Sequence, residues 1–144
     1  MKIERFKFGK VGGKDVDGFV LRNGNGLSAS LISYGARLTR FETPGRDGRL
    51  ADIVLGFDDI QSYVATNTYF GATCGRYGNR IRQGRFEIDG QLVEVDRNEG
   101  PNHLHGGRNG FDRKLWDSAV DESANAVNFS MVSPEGEEGF PGTV

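Results

Sequence analysis

The chain has little of several features that would assign it to a familiar class. Cys74 is the only cysteine among 144 residues, which excludes an internal disulfide and a zinc site built from several cysteines. No apolar run is long enough to cross a membrane, and residues 1–8 alternate charged and apolar groups, so they lack the apolar centre of a signal peptide. We therefore expect a protein of a reducing compartment, and specifically a cytoplasmic one.

An excess of charge of either sign is also missing. The chain has 18 Lys and Arg against 20 Asp and Glu, a formal net charge of -2. This balance gives no overall positive field that would attract nucleic acid or an anionic membrane surface. We expect neither as a partner, and a neutral or weakly charged ligand fits better.

Glycine, in contrast, is abundant, with 22 residues scattered between short apolar runs. Several runs alternate apolar and polar residues, as half-buried strands do. Many short strands with turn signals between them, and no regularly alternating helices, predict an all-β sandwich or barrel. The alternating runs contain Phe6 and Phe8, Phe19 and Leu21, residues 27–31, 86–88 and 127–131, and further connections are predicted at 23–26 and 46–48.

Two local elements are predicted most clearly. Asp89 and Gly90 lie between two alternating runs and suit a two-residue hairpin turn, which needs positive φ angles. Residues 58–64 predict one short helix, capped by either aspartate at its start, with Ile60 and Val64 one turn apart on a common face.

The C-terminal residues predict an incomplete architecture. Residues 127–132 read as a strand, residues 133–142 as a loop, and Thr143 and Val144 as the start of another strand. A strand without its partner exposes unpaired backbone groups. We therefore expect residues 1–144 to be the N-terminal part of a single domain whose C-terminal part is absent.

The segment 69–81 contains the first group of candidate site residues. Asn79 and Arg80 supply amide and guanidinium donors that could bind several hydroxyl oxygens of a polyol. The alternative is that Arg76 and Arg80 are solvated residues or members of structural ion pairs, as most surface charges are. Residue types alone leave both interpretations open.

The segment 98–107 contains both histidines of the chain. His103 and His105 are two residues apart, which on a strand would direct both side chains to the same face, and Gly106 and Gly107 would let the backbone approach a ligand. Histidine can donate or accept a proton near neutral pH. The alternative is a loop histidine bonded to the backbone. We expect no metal, since no further ligand accompanies the pair.

Two other residues with chemical potential are assigned to structure. Trp116 lies in an apolar pattern, so we expect it in the core and not stacked on a sugar. Cys74 is expected to be a small buried group on a strand and not a nucleophile.

Taken together, seven blocks of sequence resemble the aldose 1-epimerase family in its usual order and cover nearly the whole chain. The resemblance implies a large antiparallel β-sandwich of the galactose-mutarotase type, truncated here, with the sugar in an open cleft on one sheet. Gly78 stands where alanine is commoner in the family. The blocks are residues 33–38, 50–58, 69–72, 75–81 (GRYGNRI), 102–107 (NHLHGG), 110–112 and 133–142.

The resemblance also implies a function and a set of site residues. Family members interconvert the α and β anomers of aldohexoses such as galactose or glucose by acid/base ring opening and closure, without a metal or organic cofactor. Asn79 and Arg80 would contact sugar hydroxyls, and His105, not His103, would orient and polarise the substrate. The family's general acid, a later histidine, and its general base, a C-terminal glutamate, are expected beyond residue 144. This chain alone is therefore expected to be inactive.

Two alternatives compete with the enzyme. The chain could be a non-catalytic carbohydrate-binding module that keeps Asn79, Arg80 and His105 for recognition only. It could also be unable to fold alone, because half a sandwich leaves a sheet face and edges uncovered. The expected partner is a small-molecule aldohexose, and a homodimer is compatible with the sequence.

Overall fold

The architecture is described by a computed structural model for residues 3–144; Met1 and Lys2, the start of the N-terminal segment considered above, lie outside the described residues. The first third of the chain forms a five-stranded antiparallel sheet in which each strand pairs with the next one. The short Gly- and Asn-containing connections predicted from the sequence join neighbouring strands, which confirms them. The strands are β1 (Glu4–Val11), β2 (Lys14–Arg22), β3 (Ser28–Ile32), β4 (Arg37–Pro44) and β5 (Leu50–Asp52).

The rest of the described chain contains one α-helix, α1 (Ile60–Ala65), and three two-stranded antiparallel ladders. Three short 3-10 turns lie at Arg82–Gly84, Phe111–Arg113 and Glu137–Gly139. The antiparallel, mainly β class predicted from the sequence is therefore confirmed. The ladders are β6 (Arg80–Ile81) with β9 (His103–Leu104), β7 (Arg85–Ile88) with β8 (Gln91–Glu94), and β10 (Asp117–Asp121) with β11 (Ala126–Ser130).

The predicted hairpin is confirmed in its details. Asp89 and Gly90 join β7 to β8 with φ angles of 50° and 77°. Positive φ at both central positions matches the twist of the flanking strands, which is why this residue pair favours the turn.

The predicted helix is also confirmed, but its buried face differs from the prediction. Asp59 caps it by accepting a hydrogen bond from the Ser62 amide. Ile60 and Tyr63 are buried, at 3% and 2% exposure, whereas Val64 is 37% exposed. Tyr63, three positions after Ile60, therefore joins Ile60 in the core cluster instead of Val64, and its hydroxyl accepts a hydrogen bond from the Phe57 amide at 2.9 Å.

The core has two separate apolar clusters. The larger one lies between the five-stranded sheet and α1 and contains Val16, Ile32 and Tyr34. The smaller one joins Ile81 and Val95 to Phe140, which lies in the loop after β11. On the opposite face of the large sheet, the buried Phe19 packs edge-on against Phe129 of β11, so the β10–β11 ladder covers part of that face.

Residues after β11 form the loop expected from the sequence. Ser133 and Val144 close it with two backbone hydrogen bonds of 2.7 and 3.0 Å. Thr143 and Val144, expected to begin a strand, thus pair with the start of their own loop.

Candidate functional site

The two segments that contain the candidate site residues meet as the short β6–β9 ladder. Arg80 lies opposite Leu104, and Ile81 opposite His103. Because side chains alternate across a strand, the two pairs point to opposite faces. Ile81 and His103 are buried, whereas Arg80 is exposed and Leu104 partly so. The ladder therefore has a core face and an open face.

His103 belongs to the core face and serves the structure. It is fully buried, and its ring packs edge-on against Phe140 at 5.2 Å between centroids. Nδ1 lies 2.8 Å from the Asp96 carbonyl, to which it must donate, and Nε2 accepts from the Gly106 amide at 3.1 Å. Both ring nitrogens are thus bonded to backbone, the alternative considered for these histidines.

The expectation that His103 and His105 share one face is wrong. β9 ends at Leu104, and His105 adopts a φ of 51°, which interrupts the strand alternation. Its imidazole is only half-buried and lies against Tyr69, with 4.6 Å between ring centroids. The positive φ therefore turns His105 away from the core that holds His103.

His105 is fixed by a reciprocal pair of hydrogen bonds with Asn79. The His105 amide donates to the Asn79 carbonyl at 3.1 Å, and the Asn79 amide donates to His105 Nδ1 at 3.0 Å. Since Nδ1 accepts a hydrogen bond, the neutral ring has its proton on Nε2. His105 therefore presents an Nε2–H donor.

Asn79 also has positive φ, 70°, and its Oδ1 accepts from the Arg80 amide at 2.9 Å. This leaves Nδ2 as the donor of the Asn79 side chain. Arg80 is 54% exposed and forms a bidentate pair with Glu99, in which Nε donates to Oε2 at 2.7 Å and Nη2 donates to Oε1. The pair lowers the pKa of Glu99 and raises that of Arg80, chiefly through their hydrogen bonds. The ion-pair alternative for Arg80 is thus realised, with Nη1 remaining outside the pair.

A cleft of about 460 Å³ lies beside these residues, within the range usual for small-molecule sites. It is lined by neighbours of two predicted site residues: Tyr69 contacts His105, Glu99 holds Arg80, and Leu104 lies opposite Arg80. Arg80 itself lines a second, more apolar groove of about 600 Å³ that includes Phe86 and Phe140. The cleft is lined by Asn67, Tyr69, Asn98, Glu99, Leu104, Gly107, Arg108 and Arg113.

A buried arginine, which the sequence did not single out, supports this region. Arg37 is 1% exposed and donates to the carbonyls of Phe70, at 2.8 Å, and Asp112, at 3.0 Å. These bonds join β4 to Phe70 and to the Phe111–Arg113 turn, which follows the segment 98–107. Burial lowers the pKa of Arg37 and raises that of the Asp112 carboxyl, which is 4% exposed.

Arg76, for which a solvated or ion-paired role was the alternative, bonds instead to one hydroxyl and to backbone carbonyls. Its guanidinium donates to the Ser133 hydroxyl and carbonyl and to the carbonyls of Pro134, Pro141 and Gly142, at 2.6 to 3.0 Å. It also lies over the Phe140 ring at 6.0 Å. Arg76 therefore attaches the loop 133–142 to the segment that precedes Asn79.

Trp116 and Cys74 differ from their predicted settings. Trp116 is half-buried, precedes β10, and donates Nε1–H to the Phe111 carbonyl at 3.0 Å, so it lies at the edge of the core and not inside it. Cys74 is half-buried in an irregular segment and not on a strand. Burial raises the pKa of its thiol, which favours the unreactive protonated form.

Residues 3–144 lack two kinds of feature. No group of three or more His, Cys, Asp or Glu side chains there is arranged to hold a metal ion. No helix in the same range has the length and apolar character needed to span a bilayer.

Comparison with known proteins assigns this arrangement to a family. The family model for aldose 1-epimerase matches residues 17–144. Galactose mutarotase from Bos taurus is 44% identical over 144 residues, covering 99% of this chain and 41% of the relative. The chain thus spans about 41% of the length of the galactose mutarotases from Bos taurus, Rattus norvegicus and Sus scrofa.

Two solved structures share the fold. The aldose epimerase homologue from C. elegans aligns with a TM-score of 0.79 at 35% identity, covering 86% of this chain and 38% of the homologue. Galactose 1-epimerase from Lactobacillus acidophilus aligns with a TM-score of 0.80 at 26% identity, covering 99% of this chain and 42% of that one. The sequence blocks, the β-sandwich fold and these matches agree, and the chain belongs to the aldose 1-epimerase family.

Proposed function

We propose that the protein interconverts the α and β anomers of an aldohexose such as galactose or glucose, and that Asn79, Arg80 and His105 hold the sugar. The observation that carries the proposal is the Asn79–His105 bond pair, which leaves an Nε2–H donor on a ring that contacts Tyr69, a residue lining a cleft of sugar size. The names of the relatives support the same reaction.

The chemistry requires proton transfer at two positions of a cyclic hemiacetal. A base removes the proton of the anomeric hydroxyl while an acid protonates the ring oxygen, the ring opens, and rotation about the C1–C2 bond precedes closure to the other anomer. His105 Nε2–H would donate to a substrate oxygen near the anomeric centre and polarise it. Arg80 Nη1 and Asn79 Nδ2 would donate to hydroxyl oxygens and orient the ring.

The acid and the base are not proposed among these residues. The family resemblance assigns them to a later histidine and a C-terminal glutamate, so we propose residues 1–144 as the N-terminal part of one catalytic domain. The reaction needs no cofactor in this scheme. A cytoplasmic location and a homodimer stay predictions.

A non-catalytic sugar-binding module is the second candidate. It is favoured by one observation: the site supplies hydrogen-bond donors, while its nearest exposed carboxylate, Glu99, is occupied by Arg80. A binding module would bind galactose without accelerating anomer exchange.

Polarimetry with freshly dissolved α-D-galactose separates these candidates. We expect the full-length protein to accelerate mutarotation far beyond buffer, and residues 1–144 alone to leave the rate unchanged. In the full-length protein, His105→Phe should lower kcat about 100-fold, the size expected for losing one donor to a developing charge. Calorimetric titration should still show galactose binding to the variant.

If the full-length protein bound galactose without accelerating mutarotation, the binding-module hypothesis would be supported and the enzyme hypothesis contradicted. Catalysis by the 144-residue chain would contradict the assignment of the acid and base to other residues.

A further inference from the structure

Glu99 has a defined place in the site that the proposed reaction does not use. We infer that Glu99 is a specificity-determining residue: it positions the Arg80 guanidinium and cancels its charge, so that the site selects neutral aldoses over phosphorylated ones. This inference rests on the proposed function and adds a residue and a substrate preference to it.

Glu99 is held in place by a tight turn. The Glu99 and Asn102 backbones exchange two hydrogen bonds, of 3.1 and 2.9 Å, across Gly100, whose φ is 55°. Asn102 Oδ1 in turn accepts a hydrogen bond from the Gln83 amide at 3.1 Å, and this bond attaches the turn to the residues after β6. The Glu99 carboxylate therefore starts from a fixed backbone position, unlike that of a glutamate on a mobile loop.

The geometry of the pair decides which donors Arg80 can offer. Nε and Nη2 both face the Glu99 carboxylate, in the parallel two-bond arrangement that Arg forms with carboxylates. Nη1 remains for a ligand. Since an arginine side chain has many rotamers, fixing two of its nitrogens also fixes the direction of the third. Glu99 thus acts on the sugar through Arg80, as a positioning residue.

Each arginine around the cleft has a carboxylate partner. Arg108 donates to Asp96 at 2.8 Å. Arg113 lies 3.9 Å from the Asp112 carboxylate. Together with Arg80 and Glu99, each of the three arginines faces its own carboxylate within the described residues.

A phosphate group binds well where cationic donors are not already neutralised. In this site the guanidinium of Arg80, itself a predicted sugar ligand, already forms two hydrogen bonds to the Glu99 carboxylate. A phosphorylated sugar would have to displace Glu99 from Arg80 or approach its negative charge. Galactose needs neither, because one donor at Nη1 suffices for a hydroxyl oxygen.

The test compares kcat/KM for α-D-galactose and α-D-galactose 6-phosphate in the full-length protein, measured by polarimetry. Glu99→Gln keeps the shape of the side chain and removes its charge. We expect it to raise kcat/KM for the phosphate ester about tenfold, as for one partly screened charge contact, and to lower that for galactose a few-fold through KM. The gain should shrink in 0.5 M salt because the interaction is exposed.

Glu94→Gln is the matched control. Glu94 forms a similar exposed ion pair with Arg85, at 2.6 Å, on the β7–β8 hairpin outside the cleft. Its substitution changes the net charge equally and should leave the ratio of the two kcat/KM values unchanged. Combining Glu99→Gln with Arg80→Met should abolish the gain for the phosphate ester, since the effect passes through Arg80.

The outcomes separate the two proposals. If Glu99→Gln changes both substrates by the same factor, or neither, the inference is overturned while the enzyme proposal stands. If the wild-type protein does not accelerate galactose mutarotation at all, the proposed function fails and the inference fails with it. A gain for the phosphate ester that persists without Arg80 would also overturn the inference.

Discussion

Replacing Arg37 by methionine should destabilise the protein by about 3–5 kcal/mol, because two carbonyls lose their bonds to a buried charged donor. Arg37 is 1% exposed, and its guanidinium connects β4 to the segments that place Tyr69 and Asp112. Methionine keeps much of the apolar stem, so the change isolates the loss of the charged head.

The magnitude follows from the contacts. Two hydrogen bonds, to the carbonyls of Phe70 at 2.8 Å and Asp112 at 3.0 Å, have good length, and each bond from a charged donor contributes about 1.5–3 kcal/mol. The contact to the Thr68 carbonyl, at 3.5 Å, is too long to count. The guanidinium also lies over the Tyr63 ring at 4.8 Å, a contact of about 1–2 kcal/mol when desolvated.

Some of this stabilisation offsets the cost of burying the guanidinium, and burial lowers the pKa of Arg37 for that reason. The net loss therefore stays below the sum of the contacts. A protein of ordinary stability, about 5–15 kcal/mol, would remain mostly folded, so the variant can be measured.

Urea denaturation of the full-length wild type and variant, at equal slopes, gives the difference in unfolding free energy. Arg40→Met is the control: it lies three residues along β4, is 49% exposed, and its three ion pairs are all 3.7 Å long. Such pairs contribute about 0–1 kcal/mol. A loss below about 1 kcal/mol for Arg37→Met, or equal losses for both variants, would refute the assigned role.

Two further predictions concern the support of the site. Asp112→Asn removes the buried carboxyl. Because burial raises the pKa of Asp112 in the folded protein above its ordinary 3.8, folding takes up a proton at pH values between the pKa of the unfolded chain and that of the folded protein. The unfolding free energy of the wild type should therefore rise relative to the variant as pH falls through that window, and urea melts showing the opposite slope would contradict this. Arg76→Lys keeps the charge but has three N–H donors for the five acceptors that the guanidinium serves, so amide hydrogen exchange in the loop 133–142 should accelerate about tenfold or more while β2 is unchanged. Unchanged exchange in the loop would show that other contacts hold it.

The features that the sequence predicted correctly are those with local causes. The Asp89–Gly90 turn needs two positive φ angles, and this residue pair tolerates them. The start of α1 needs one acceptor for the Ser62 amide, and Asp59 supplies it from three residues away. No distant contact has to be known for either element.

Arg37 illustrates what could not be predicted. Alternation in β4 favours burial of the apolar Leu38, yet Arg37 is the more buried of the two. Its partners Phe70 and Asp112 are 33 and 75 positions away in the chain. Only the folded arrangement shows that two irregular segments bring carbonyls to the inward side of this strand.

The orientation of the two histidines was mispredicted because both strands of the β6–β9 ladder stop at the same level. Asn79 precedes β6 and His105 follows β9, and both have positive φ angles, 70° and 51°. Such angles are uncommon outside glycine, although asparagine and histidine adopt them more often than most residues. A prediction that treats residues 103–105 as one continuous strand therefore misses the change of direction at His105.

The positive φ angles of Asn79 and His105 also determine which atoms of the two residues form hydrogen bonds. If His105 continued β9, strand alternation would direct its ring to the same core face as His103. Because both segments leave the β6–β9 ladder at the same end, the Asn79 amide instead donates a hydrogen bond to His105 Nδ1. Residues held in sparsely populated backbone regions persist only where neighbouring contacts compensate, at about 1–3 kcal/mol each. The contribution of asparagine at position 79 is therefore partly conformational. Its tolerance of positive φ brings the amide that leaves the His105 proton on Nε2, where the proposed function requires a donor.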